Sequence, residues 1–367
     1  MKKLDISQKI LVGAFLVTIC FLWVFWLILQ NFTDTTNYEN RNKAECPKWT
    51  LDNYETFPEQ YGDYFDDRMP FRNDLITLNS AIDYFIFHRA ANDQVIVGKE
   101  NWLFYNGLND GDPIDCYQGT NILTKKELEN IADNCVRQRD CLKEQGKEFI
   151  IFIAPNKERM YSEYMPEKYG KPAENYQTLQ IVRYLRQNTD LKVIYPYDEL
   201  MNAKNNVYGY DIYYKTDTHW NEIGGYIGAR ALLRELKVEI PSIESKNVKI
   251  TRDGNRAGDL AEMLDLTKQL NYVDYTYKVE GYNKHDSRQL ENEESYEAEG
   301  ADERKLYVIR DSFGKAMREY LGSQFKNTYF VHRGSYTYND LMVKNPDVVV
   351  YETVERYAYL LGEFSLK

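Results

Sequence analysis

Histidine and cysteine are scarce in this chain, and dense positive charge is missing. Four histidines are spread over 367 residues. None has the i, i+4 partner that a helical zinc motif uses, so no metal is expected. Of the five cysteines, Cys20 lies in an apolar N-terminal segment, which leaves Cys46, Cys116, Cys135 and Cys141 to pair in an oxidising compartment. Cys135 and Cys141 fall in one expected helix, ~9 Å apart at ~1.5 Å rise per residue, too far for a disulfide. That leaves room for one structural disulfide and argues against a metal cluster. The formal net charge is −11, with no dense Lys/Arg cluster, so a nucleic-acid partner is not expected. No internal repeat is present, and no cofactor is expected. Tyrosine is abundant, at 32 residues. Its flat face and hydroxyl suit sugar binding, although genome composition alone gives the same excess.

One long apolar run stands out. Ile10 to Leu29 carries no charge and is rich in Ile, Leu, Val, Phe and Trp. A helix of that length spans the ~30 Å hydrocarbon core of a bilayer. Lys2, Lys3 and Lys9 precede it, and Asp34 and Glu39 follow before Arg41 and Lys43. The positive-inside rule then places the N-terminus in the cytoplasm and the rest outside. Gln30-Asn31-Phe32-Thr33 offers no small-x-small cleavage site, and bulky Ile19 spoils a lipoprotein site at Cys20. The expected organisation is a cytoplasmic tail (1–9), a transmembrane anchor (10–29), a polar linker (30–60) and an extracellular domain (61–367). The plainer alternative, a buried helix of a soluble domain, finds no matching apolar partner in the polar remainder.

The domain alternates between strand and helix patterns. Helical spacing of Leu75, Leu78, Ile82 and Phe85 comes first, and a strand pair is expected over Val95 to Tyr105. Leu123 to Gly146 reads as a helix, opened by a capping box at Thr124 to Glu127 and stopped at Gly146. Glu148 to Ala154 is a near-continuous apolar run, as a strand covered on both faces would be. Further strands are expected at Leu191–Tyr195, Lys305–Ile309, Asn327–Val331 and Val348–Glu352. Helices are expected at Ala173–Asn188, Asn221–Leu236 and Phe313–Leu321. Such alternation implies an α/β fold with a mostly parallel sheet between helical layers. Residues 284–303 are charged and without periodicity, so an exposed insertion is expected there.

Reactive residues in open α/β sheets lie beyond the carboxyl ends of strands. Two segments fit that rule: Lys215-Thr216-Asp217-Thr218-His219-Trp220-Asn221, and Val308-Ile309-Arg310-Asp311-Ser312-Phe313-Gly314. Together they offer Ser312 as nucleophile, His219 as its base and Asp217 to orient the imidazole. N–H groups at the following helix start would face a developing oxyanion. Each residue alone has a plainer reading, Ser312 as a helix cap and Asp217-x-His219 as a structural or metal pair.

The motifs resemble the alginate O-acetyltransferase family, whose SGNH-hydrolase-like domains include the secreted DHHW proteins. The likeness runs from about residue 39 to the C-terminus. It rests on Glu39-Asn40-Arg41 with Asp66 to Arg72, on Val97 to Tyr105 (VGKENWLFY), and on Ala154-Pro155-Asn156-Lys157. Asp217-Thr218-His219-Trp220 and Arg310-Asp311-Ser312-Phe313-Gly314 resemble its catalytic blocks. The resemblance implies an SGNH-hydrolase-like three-layer α/β/α domain in which Asp217, His219 and Ser312 form the triad, in an order permuted from ordinary SGNH hydrolases. It departs at Arg310, where SGNH enzymes usually have Gly, so Arg310 becomes a substrate or oxyanion candidate beside Asn156, Lys157 and Trp220. No carbohydrate-binding module is expected after the last strand. The function implied is O-acetylation of a polysaccharide acceptor through acetyl-Ser312, with a membrane-bound O-acyltransferase as acetyl donor. An acetyl-esterase with the same triad, a metal-dependent hydrolase and a non-catalytic glycan-binding protein are the alternatives.

Overall fold

A computed structural model describes residues 5–29, 44–67, 69, 71–207, 209–290 and 294–367. The chain divides into two compact units, residues 1–91 and 92–367. The first holds helices Ile6–Leu29, Phe57–Asp66 and Arg72–Phe85. In the first of these, Leu11, Phe15 and Val17 are exposed. Counted over the described residues, no helix is long and apolar enough to cross a membrane, and the expected anchor returns below as a proposal. Residues 30–43 of the expected linker lie outside the described residues, and its end already belongs to the helix starting at Phe57.

The second unit opens with an antiparallel pair, β1 (Val95–Val97) and β2 (Leu103–Tyr105). The strands that follow are β3 (Glu148–Ala154), β4 (Lys192–Ile194), β5 (Lys249–Arg256), β6 (Asp274–Glu280), β7 (Ser287–Gln289), β8 (Ser295–Ala298), β9 (Asp302–Arg310), β10 (Phe325–His332) and β11 (Val348–Val354). Seven of them make one sheet in the order β4-β3-β11-β9-β10-β8-β7, parallel from β4 to β10 and antiparallel beyond. Strands β5 and β6 form a separate hairpin.

Period-two alternation along the central strands builds both cores. Ile150, Phe152, Leu306, Val308, Val348 and Val350 face one side, against Ile223, Ile227 and Leu232 of the helix Glu222–Glu235. Phe149, Ile151, Tyr307, Ile309 and Val349 face the other, against Leu128 and Ile131 of the helix Lys125–Lys143 and Ile181 and Leu185 of the helix Gln177–Asn188. Each fully buried Leu, Ile or Phe contributes about 1.5–3 kcal/mol of transfer free energy. The result is a three-layer α/β/α unit around a mixed sheet.

Three expectations need correction. Residues 284–303 are not a plain insertion, because β7 and β8 lie there and extend the sheet, with Ser295 and Ala298 buried. Short, polar strands at a sheet edge carry little apolar pattern, which hid them. The disulfide that the composition left room for is not formed: all five cysteines are free, and Cys116 and Cys135 are buried singly. The expected helix at Phe313–Leu321 is a 3-10 turn, Phe313–Met317, followed by the short helix Arg318–Gly322.

Candidate active site

The serine turn is an extension of the sheet. Strand β9 is buried from Leu306 to Ile309 between β11 and β10, so the chain leaves its carboxyl end in a fixed direction. The first residue past the strand, Asp311, is buried. Its carboxylate accepts the N–H groups of Phe313 (2.9 Å) and of Val354 at the end of β11 (2.7 Å). The Asp311 N–H in turn donates to Glu352 (2.9 Å), whose carboxyl is pushed well above its usual range by burial and by the Asp311 charge. Ser312 follows at the start of the 3-10 turn.

The histidine loop is held by residues from elsewhere. A bridge between Tyr213 and Trp220 closes its base. Asp274, at the start of β6, accepts the N–H groups of Lys215 (2.6 Å) and Thr216 (2.8 Å) and the Thr216 hydroxyl (2.5 Å). From the opposite side, Lys157 donates its ammonium protons to the carbonyls of Tyr214 (3.2 Å), Lys215 (3.2 Å) and Asp217 (2.5 Å). Lys157 is wholly buried over the rings of Trp102 and Phe104, and that burial lowers its pKa. Gly258 packs so closely that a Cβ there would sit 2.2 Å from the Asp217 Cβ. Only glycine permits that approach.

The two loops meet side chain to side chain. His219 Nε2 lies 2.7 Å from Ser312 Oγ, and His219 Nδ1 lies 2.6 Å from Asp217 Oδ1. The second oxygen of Asp217 accepts a hydrogen bond from Arg256, itself stacked on Tyr214. Burial alone would raise the Asp217 carboxyl, but the bonds and charges of His219 and Arg256 prevail and hold it well below the usual carboxylate range. Burial opposes charge on His219 as well, and here Asp217 and Asp259 outweigh it and push the imidazole up to about 9. Beside these groups is a cleft of about 580 Å³, whose walls include Tyr214, Glu262, Tyr296, Lys315 and Arg318.

Such an arrangement can move a proton from Ser312 Oγ to His219 and leave an alkoxide able to attack an acyl carbon. Asp217, His219 and Asp259 also offer ligand atoms within 4.8 Å of one another, as a metal site would. Those atoms are already engaged: Asp217 takes the imidazole and the Arg256 guanidinium, and Asp259 takes the Thr218 N–H (2.7 Å) and hydroxyl (2.6 Å). A cation on Asp217 would have to displace a guanidinium, so the set fits a proton relay better than a metal.

Of the expected residues, Ser312, His219 and Asp217 come together, and Trp220 joins them by donating its indole N–H to the Phe313 carbonyl (2.9 Å). The other three lie elsewhere. Arg310 is buried beneath the turn, paired with Glu294 and donating to the Asp311 carbonyl (3.0 Å). Lys157 touches the loop from behind. Asn156 is buried with both side-chain polar atoms unpartnered, and its N–H donates to Glu355 (2.9 Å). Among the described residues, the walls of the cleft contain none of these three. Asp259, Arg256 and Asp274 join the site without a local signal in the sequence. Arg256 and Asp274 lie on β5 and β6, which are polar and half exposed, and Asp259 opens the short helix Asp259–Met263.

A sheet that ends in a serine turn, with a histidine and paired carboxylates above it, has the parts of a serine-dependent acyl-transfer site on an SGNH-like α/β fold. The chain belongs to the family of the SGNH hydrolase-like domain of the acetyltransferase AlgX, whose pattern matches residues 95–304, more than half of the sequence. That places it among O-acetyltransferases of the SGNH type. The match contains Asp217, His219 and Asp259 and stops short of Ser312. A probable alginate O-acetylase AlgJ of Azotobacter vinelandii is 26% identical over 331 residues, which are 82% of this chain and 80% of that protein. Another, from Pseudomonas fluorescens, is 28% identical over 185 residues, 48% of this chain and 42% of its own length. Among solved structures, PatB1 of Bacillus cereus superposes with a TM-score of 0.51 and 16% identity, over 75% of this chain and 99% of that one. That last likeness is one of fold.

Proposed function

We propose that the protein transfers acetyl groups to a cell-surface or secreted polysaccharide through an acetyl ester on Ser312. The hydrogen-bonded line from Asp217 through His219 to Ser312 carries this reading. Ser312 Oγ attacks the acetyl carbonyl of the donor as His219 Nε2 takes its proton. The tetrahedral intermediate collapses, and the leaving group departs with that proton. A sugar hydroxyl then attacks acetyl-Ser312, giving its proton to His219, which returns it to Ser312 Oγ as the product ester leaves. The polysaccharide acceptor follows the O-acetylases that the chain resembles.

The donor in this proposal is a membrane-bound O-acyltransferase that hands acetyl groups to a domain outside the cytoplasm. The apolar run at residues 10–29 would hold the protein at the membrane as a single-pass anchor with a cytoplasmic N-terminus. If water rather than a sugar reaches acetyl-Ser312, the same steps make an esterase. The test is acyl transfer by the purified full chain from a chromogenic acetyl ester to a panel of glycans, beside Ser312→Ala. Ester on a glycan with wild type alone supports the proposal. Free acetate as the sole product of wild type overturns transfer in favour of hydrolysis, and equal activity of the two proteins overturns the serine mechanism.

A further inference from the structure

His219 faces more negative charge than a three-residue relay supplies. Its Nδ1 lies 2.6 Å from Asp217 Oδ1 and also 3.4 Å from Asp259 Oδ2. The Thr218 hydroxyl lies between, 3.1 Å from Nδ1 and donating to that same Asp259 oxygen at 2.6 Å. Asp259 is no stray surface acid. Both its oxygens accept from Thr218, and its N–H reaches Asp217 Oδ2 at 3.4 Å, so the two carboxylates are tied into one frame. Leu260 and Ala261, next in the chain, direct their N–H groups to the Thr216 carbonyl (3.1 and 3.2 Å), which fixes the Asp259 segment against the histidine loop.

The charges around His219 explain why a second carboxylate would matter. Arg256 is bound to Asp217 and offsets its charge, and Lys157 sits behind the Asp217 carbonyl. On the other faces are Ser312, the Phe313 ring (centroids 4.8 Å apart) and the cleft, where Glu262 and Lys315 are of opposite sign. Asp217 therefore presents a partly neutralised carboxylate to the imidazole, and Asp259 has no arginine upon it among the described ion pairs.

We propose that Asp259 is a second, positioning carboxylate of the relay, which shares the His219 Nδ1 proton with Asp217 through Thr218 and supports the imidazolium formed during acyl transfer. The proposal rests on the serine mechanism above for its catalytic consequence, while its claim about His219 stands without turnover. In an ordinary triad, loss of the carboxylate by Asp→Asn costs ~10⁴-fold in kcat. Here Asp217→Asn should cost only about 10²- to 10³-fold, since Asp259 can still receive the Nδ1 proton. Asp259→Asn should cost about 10-fold and move the acid limb of kcat/KM to lower pH by about one unit, because one of two carboxylates that favour the charged imidazole is gone. The double variant should lose more activity than the product of the two single losses, as residues that substitute for each other do.

The decisive experiment pairs these pH profiles with NMR titration of the His219 ring in wild type, Asp259→Asn and Ser312→Ala. A lower His219 midpoint in Asp259→Asn, with its melting temperature within a few degrees of wild type, supports the proposal even if no acyl transfer is seen. An unchanged midpoint, or an activity loss of the same factor at every pH, overturns it. A lowered midpoint with an inert wild-type protein overturns the acyl-transfer reading instead and leaves the Asp259 assignment in place.

Discussion

The serine turn and the histidine loop face each other across 2.7 Å, yet they are held in place in different ways. Each uses one buried carboxylate to gather backbone N–H groups, Asp311 for the serine turn and Asp274 for the histidine loop. Asp311 adjoins the residue it positions and ties it to the neighbouring strand, so the sheet fixes the nucleophile almost by itself. Among the described residues the histidine loop continues no strand of the seven-stranded sheet, and β2 reaches it through the Leu103 N–H, which donates to the Lys215 carbonyl (2.8 Å). Asp274, Lys157 and the Gly258–Asp259 segment converge on it from distant parts of the chain. The nucleophile is thus a property of the sheet, and the base a property of assembled side chains, so damage far from the chemistry should reach the base first.

Ser312→Ala should have the largest effect on activity, a loss of about 10³-fold or more in kcat with little change in melting temperature, since only the nucleophile is removed. Lys157→Met should separate the two loops most clearly. It leaves three carbonyls without their charged donor and should lower stability by about 2–4 kcal/mol by thermal or urea melting, with activity falling at the same time. If that variant melts like wild type, the loop is not held from behind as described. Gly258→Ala should cost less stability, about 1–3 kcal/mol, by forcing the segment away from Asp217. Its signature is a lower kcat with the fold retained.

The smallest effect is one of pH. His219 must be neutral to accept the serine proton, and its pKa is pushed up to about 9. The rate kcat/KM should therefore rise from pH 6.5 towards 9. The sign for stability is opposite. A group whose folded pKa is raised adds stability that is complete below its unfolded value, near 6.5, and disappears as pH passes the folded value. The melting-temperature advantage of wild type over His219→Gln should shrink across the window in which the rate grows. A rate that falls with pH over that range would contradict the assignment of His219 as base.

The same contrast explains what could be read beforehand. Glu148–Ala154 and Val348–Glu352 are legible in the sequence as strands, the second running on to Val354 in the structure, and both are buried on both faces. The position of Ser312 at a strand-to-turn step is legible because that step is local. Asp217 and His219 were legible through their spacing of two. Asp259, at the start of a five-residue helix, and Asp274, at the start of polar β6, carry little local pattern, and their contacts with the histidine loop arise only in the tertiary fold. Arg310 and Lys157 were singled out with reason, but long side chains go where burial and charge allow. Both ended up supporting the turn and the loop rather than lining the cleft. Edge strand β7 and its neighbour β8 are not legible in the sequence because they are short and polar.

The destination of the acetyl group is the most direct test of Ser312 as nucleophile. The full chain should be mixed with a chromogenic acetyl ester, quenched and mapped by peptide mass spectrometry, with and without a glycan acceptor. An acetyl group on the peptide that contains Ser312, absent from Ser312→Ala and discharged when the glycan is added, is the predicted result. Acetate release at equal rates by wild type and Ser312→Ala, with no adduct on Ser312, would contradict it.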